Sequence, residues 1–249
     1  MNLPYLKFIR HHKKIVLKFL VVVIVGCLVA GSYYFYNKKQ EDVYSGYINE
    51  AIAFVDKEDY TSCIEALGKA IKVRPKNSKA YALRAAVYYQ DAKSDESLKD
   101  TDTFLALNKD GDEFIYEMRG DIFRERRDFK NTLESYAKAY SLSSSTELSI
   151  VHKYAGALII EKEYEKAYTV VRKYFDVANK DDYWEDVDIW LDRAMVSLQT
   201  HRCLESAAGA WHVLMRTTEG DGDNKMAEGI MSAALNDKEC IDKDTFIKK

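Results

Sequence analysis

Any fold for this chain has to accommodate a pattern that returns about every 34 residues. Residues 59–77 read DYTSCIEALGKAIKVRPKN, with Tyr60, Cys63, Leu67, Ala70 and Pro75 at fixed offsets. Related spacing returns in Tyr81, Ala85, Tyr88, Ser97, Leu98, Phe104 and Leu107, then in Gly120, Phe123, Phe129, Tyr136 and Ala139, then in Ala155, Leu158, Tyr164, Ala167 and Val171. Residues 183–216 are helical in pattern but degenerate as a repeat, and are expected to form a fifth hairpin. The chain has only 2 prolines and 11 glycines, and its long Ala-, Leu-, Glu-, Lys- and Tyr-rich stretches lack hairpin dipeptides, so the expected class is all-α. A single pair of short helices cannot bury its own apolar face, so successive pairs must stack.

The pattern resembles the tetratricopeptide repeat (TPR). Tyr60, Cys63, Leu67, Ala70 and Pro75 fall on the positions of its second helix, and Tyr47, Ala51 and Phe54 on the large, small and aromatic contacts of its first. Phe104 departs from the expected small residue and Lys109 from the expected proline, which predicts looser or shifted packing there; Tyr174 is a further departure. The resemblance implies a TPR-like α-solenoid of four to five helical hairpins over residues 44–236. Ala51, Cys63, Ala85, Gly120 and Ala167 would let helices approach closely, and a capping helix at 224–235 would close the stack before a tail at 237–249. It also implies a groove for proteins or peptides, lined by Ile48, Ile52, Val55, Ala82, Ala86, Tyr89, Glu117, Asp121, Arg124, His152 and Ile159. The alternative for Ile48 and Ile52 is packing on the juxtamembrane helix. The carboxylate clamp of co-chaperone repeats is absent, since its positions hold Ile52, Leu83, Phe114 and Met118.

Residues 15–36, IVLKFLVVVIVGCLVAGSYYFY, carry one charge, Lys18. At 1.5 Å per residue about 22 residues cross a hydrocarbon core of about 30 Å. Lys18 is near enough to one end to snorkel, and Tyr33, Tyr34 and Tyr36 form an aromatic belt at the other. Lys7, Arg10, Lys13 and Lys14 precede the segment, whereas Lys38 and Lys39 after it are offset by Glu41 and Asp42. The expected arrangement is a cytoplasmic N-terminus at 1–14, a signal anchor in the lipid bilayer at 15–36, a juxtamembrane linker at 37–43 and extracytoplasmic repeats, as on a bacterial plasma membrane. Two alternatives stay open: a lipobox at Ile24, Val25, Gly26 and Cys27, and signal cleavage near Ala30 and Gly31.

The net charge of −3 provides no basic stripe, which argues against nucleic acid as a partner. His11, His12, His152, His201 and His212 form no catalytic or metal motif, the acidic stretches lack EF-hand ligand spacing, and Gly111 is not part of a phosphate loop. No metal, cofactor or catalysis is expected. Cys203 and Cys240 come within bonding reach if the capping helix returns antiparallel, giving a disulfide that closes a loop of about 36 residues. The expected function is a membrane-anchored adaptor or scaffold that recruits partners to a multi-subunit membrane complex. The alternatives are an organelle outer-membrane receptor with cytosolic repeats and a regulatory subunit of a membrane enzyme.

Overall fold

Eleven α-helices account for most of the residues described by the computed structural model, which are 13–143, 147–178, 186–217 and 221–236. The first, α1 (Lys13–Val55), runs 43 residues without a break. Residues 37–43, expected as a linker, are part of it: NKKQEDV contains neither Gly nor Pro, so nothing interrupts the backbone ladder between the apolar segment and the first repeat.

The hairpins follow in order. The end of α1 pairs with α2 (Tyr60–Val73), and α3 (Ser78–Gln90) with α4 (Ser94–Leu107). Next come α5 (Glu113–Glu125) with α6 (Phe129–Leu142), α7 (Leu148–Ile160) with α8 (Tyr164–Val177), and α9 (Val187–Gln199) with α10 (Cys203–Leu214). The degenerate region at 183–216 therefore does contain a fifth hairpin. The last helix, α11 (Gly222–Asn236), begins two residues before the expected cap and packs on α9 and α10 through Ala227 and Ile230.

The five turns share one geometry. Glu58, Ala92, Arg127, Lys162 and His201 have φ between 55° and 60°. The following N–H reaches back to the carbonyl five residues earlier: Asp59 to Phe54, Lys93 to Tyr88, Asp128 to Phe123, Glu163 to Leu158 and Arg202 to Ser197, at 2.7 to 3.0 Å. This closure satisfies carbonyls that a helix end leaves orphaned. Asp59 and Asp128 then cap α2 and α6 by accepting from the backbone N–H of Ser62 and Asn131.

The chain divides into two compact units, Met1–Leu107 and Asn108–Lys249, with the division beside the Lys109 departure. In the first unit, Tyr44, Ile48 and Ala51 of α1 pack on Cys63, Leu67 and Ala70 of α2 and Ala80 and Val87 of α3. Phe104 is accommodated as a buried residue, and the α3–α4 hairpin is fastened by polar bonds instead. Arg84 makes a bidentate pair with buried Asp100 at 2.6 and 2.9 Å, and Ser97 Oγ donates to the Ala85 carbonyl at 2.9 Å. In the second unit, Tyr174 is fully buried beside Val151, Ala155, Ala167 and Ile189, so the departure from a small residue is absorbed into the core. Ser206 Oγ donates to the Ala194 carbonyl at 2.9 Å, repeating in the fifth hairpin the Ser97 contact of the second.

Candidate partner-binding surfaces

In the first unit an apolar pocket of about 160 Å³ opens between α1, α2 and α3. Ile52 and Val55 form one wall, Leu83 and Ala86 another, and Gln90 is the polar residue at its edge. Ile52 is 50% exposed and Val55 37%, although both are large and apolar. Three of the expected groove residues thus line one concavity. Ala82 and Tyr89 are half-buried outside its lining. Ile48 is corrected: at 5% exposure it belongs to the core with Tyr44 and Ala51. It follows Tyr44 by four residues and precedes Ala51 by three, which places it on the inward stripe, while Ile52 lies one step around the helix.

In the second unit the surface is polar. Glu117 and Asp121 sit one turn apart on α5, and Lys153 of α7 reaches both, at 2.6 Å and 2.7 Å. Ser149 Oγ donates to Glu117 at 2.9 Å, Tyr136 OH donates to Asp121 at 2.6 Å, and Arg124 stands 3.4 Å from Asp121. Burial pulls the Lys153 pKa down, but the hydrogen bonds to Asp121 and Glu117 outweigh it and leave the ammonium above its ordinary value. Glu117 and Arg124 thus lie near Lys153, for which the sequence held no local signal, whereas Asp121, expected in the groove, is buried at 7% exposure with its carboxylate taken up by Tyr136 and Lys153.

His152 belongs to a different contact. Its Nδ1 lies 2.7 Å from Asp192 Oδ2 on α9, which is buried. The hydrogen bond to Asp192 raises the imidazole pKa despite partial burial, and burial raises that of Asp192 against the pull of the imidazole. Asp192 was legible only as one acidic residue among several in DDYWEDVDIWLD.

Cys203 is buried at the start of α10 and packs near Ala234 of α11. Cys27 and Cys63 are the free thiols among the described residues, and Cys240 lies outside them, as does the tail. Among the described residues no group of three or more His, Cys, Asp or Glu side chains is arranged to hold a metal ion. One helix among them, Leu17–Val55, is long and apolar enough to cross a membrane.

The fold is that of tetratricopeptide repeat proteins. The solved structure of YrrB, a TPR protein with an unusual peptide-binding site, superposes with a TM-score of 0.62 at 12% identity, covering 81% of this chain and 97% of YrrB. The MamA protein superposes with a TM-score of 0.59 at 13% identity, covering 71% of this chain and 92% of MamA. In sequence, a TPR repeat-containing protein of Methanocaldococcus jannaschii is 27% identical over 124 residues. That match takes in 49% of this chain and 21% of the relative, so the chain spans about a fifth of the relative's length. No family model matches the chain.

Proposed function

We propose that this protein is a membrane-anchored adaptor with no catalysis of its own, which recruits a partner to a membrane assembly by accepting an apolar peptide side chain between α1, α2 and α3. The observation that carries this reading is the pocket bounded by Ile52, Val55, Leu83 and Ala86, where large apolar side chains stay exposed around a concavity. The pocket has the size of one aliphatic or aromatic anchor, with Gln90 placed to hydrogen-bond the peptide backbone beside it. The peptide-binding site ascribed to YrrB, on the same fold, supports the reading. In the second unit, half-buried Glu117 and the exposed guanidinium of Arg124 offer a separate polar recognition surface, Asp121 being buried.

The apolar stretch of α1 supports the anchor, and the charge asymmetry around it supports a cytoplasmic N-terminus with repeats outside. Protease added to the outer face of intact spheroplasts is expected to remove the repeats and leave an N-terminal stub; full protection would reverse the topology. For the pocket, the test is a photoreactive residue at Gln90 in the membrane-bound protein, with a control at exposed Lys99 on α4. The expected result is a discrete partner captured from Gln90 alone and lost in Ile52→Asp. Equal capture from both positions would overturn the pocket as the binding site.

A further inference from the structure

A second concavity in the first unit, of about 630 Å³, lies where the apolar segment ends. Tyr36, Asn37 and Gln40 of α1 form one side, and Arg74, Lys76 and Ser78, from the α2–α3 connection and the first residue of α3, form the other. Because α1 is unbroken, Gln40 stands about 6 Å along the helix axis from Tyr36. The headgroup layer beyond a hydrocarbon core is about 5 to 8 Å deep in each leaflet. The register of one continuous helix therefore holds this cavity at headgroup depth, beside the aromatic belt.

The charge around it has one prevailing sign. Arg74 is paired with Glu41. Lys76 is exposed, with no ion pair among the described residues, and Lys79 is exposed on the first turn of α3. Lys38 and Lys39 are exposed on α1 at the same level but are offset by Glu41 and Asp42, so the positive excess is carried by Lys76 and Lys79. The N-terminus of α3, where Asn77 Oδ1 already accepts from the Lys79 N–H, adds positive potential through its dipole on the Ser78 side. Val73 and Pro75 add apolar surface to its lining.

We propose that this cavity binds the phosphate headgroup of an anionic phospholipid, of the phosphatidylglycerol class, and so fixes the first repeats against the membrane surface. Lys76 supplies the free charge in the lining and Lys79, next to Ser78, adds to the field from outside it, while Ser78 supplies a hydroxyl donor and Asn37 and Gln40 bond the glycerol hydroxyls. The proposal rests on α1 spanning a bilayer, and its test separates the two. The full chain, carrying a photoreactive residue at Tyr36, is reconstituted in vesicles of phosphatidylcholine alone or mixed with phosphatidylglycerol. It is floated, then irradiated and analysed for lipid adducts by mass spectrometry. The expected result is a floated protein whose adducts are enriched in phosphatidylglycerol beyond its share of the bilayer. Lys76→Gln and Lys79→Gln should each lower that enrichment about fivefold, with Lys99→Gln as an unaffected control. Adducts that follow the bulk lipid composition in a protein that floats would overturn the headgroup site and leave the anchor standing. Loss of the enriched adduct on adding inorganic phosphate would reassign the cavity to soluble phosphate. A chain that fails to float would overturn the anchor and the lipid site together.

Discussion

Gly120 has no room for a side chain: a methyl group there would lie inside van der Waals contact with the ring of Tyr136. That ring cannot swing aside without breaking the bond from its hydroxyl to Asp121, at 2.6 Å. Gly120→Ala is therefore expected to cost about 1 to 3 kcal/mol, measured as a lower urea midpoint at unchanged slope. Gly156 is the contrast, since nothing lies within 4 Å of the added carbon; the same change there should be neutral or stabilising. The contact between His152 and Asp192 carries a pH dependence whose sign follows from its geometry. The folded imidazole has a raised pKa, so its contribution is full below the unfolded value of about 6.5 and fades as pH rises through the folded value. Asp192 is also raised, chiefly by burial, and works in the same direction. Amide exchange in α7 and α9 should accelerate from mildly acidic to alkaline pH beyond the intrinsic rate, and His152→Gln should remove the pH-dependent part. An unchanged profile in that variant would show that the pair does not hold the two helices.

The turns between paired helices are the least economical elements. Each uses a residue other than glycine in the left-handed region, where a Cβ costs roughly 1 to 2 kcal/mol. Arg127 is exposed, so Arg127→Gly should raise stability by up to about 1 kcal/mol after the added freedom of the unfolded chain is counted. Glu125→Gly, two residues earlier at the last residue of α5, should lower it, by less than the roughly 1 kcal/mol of a helix interior. Equal effects from both changes would refute the turn argument. The hairpins themselves were legible in the sequence because their contacts recur within a single period: Ala51 with Cys63 and Leu67, Gly120 with Tyr136. The polar network was legible only in part. Glu117 and Asp121 stand out as an i, i+4 pair, but Lys153 and Asp192 meet their partners 32 to 40 residues away, across repeats, where no local pattern points to them. Ile48 was misplaced for the opposite reason: the repeat register alone assigned it, while helical phase relative to Tyr44 and Ala51 turns it inward.

At the scale of the whole molecule, the consequential feature is the continuity of α1 from the apolar segment into the first hairpin. If α1 is anchored in a bilayer as proposed, a flexible linker would let the first repeats tumble above it, whereas one helix transmits the orientation of the apolar segment directly to Tyr44 and the core behind it. A proline in an exposed part of the connecting stretch tests this. Lys39→Pro removes one backbone hydrogen bond and sets its ring against the preceding turn, costing the helix about 3 kcal/mol locally while lying outside the packed core. With the chain in vesicles and a fluorophore on Lys99, the proline variant should show clearly lower steady-state anisotropy than the parent, and its repeats should keep the same thermal midpoint. If anisotropy is unchanged and the repeats remain folded, the membrane-bound chain already bends within 37–43, and the first repeats owe their orientation to the bilayer surface instead of to α1.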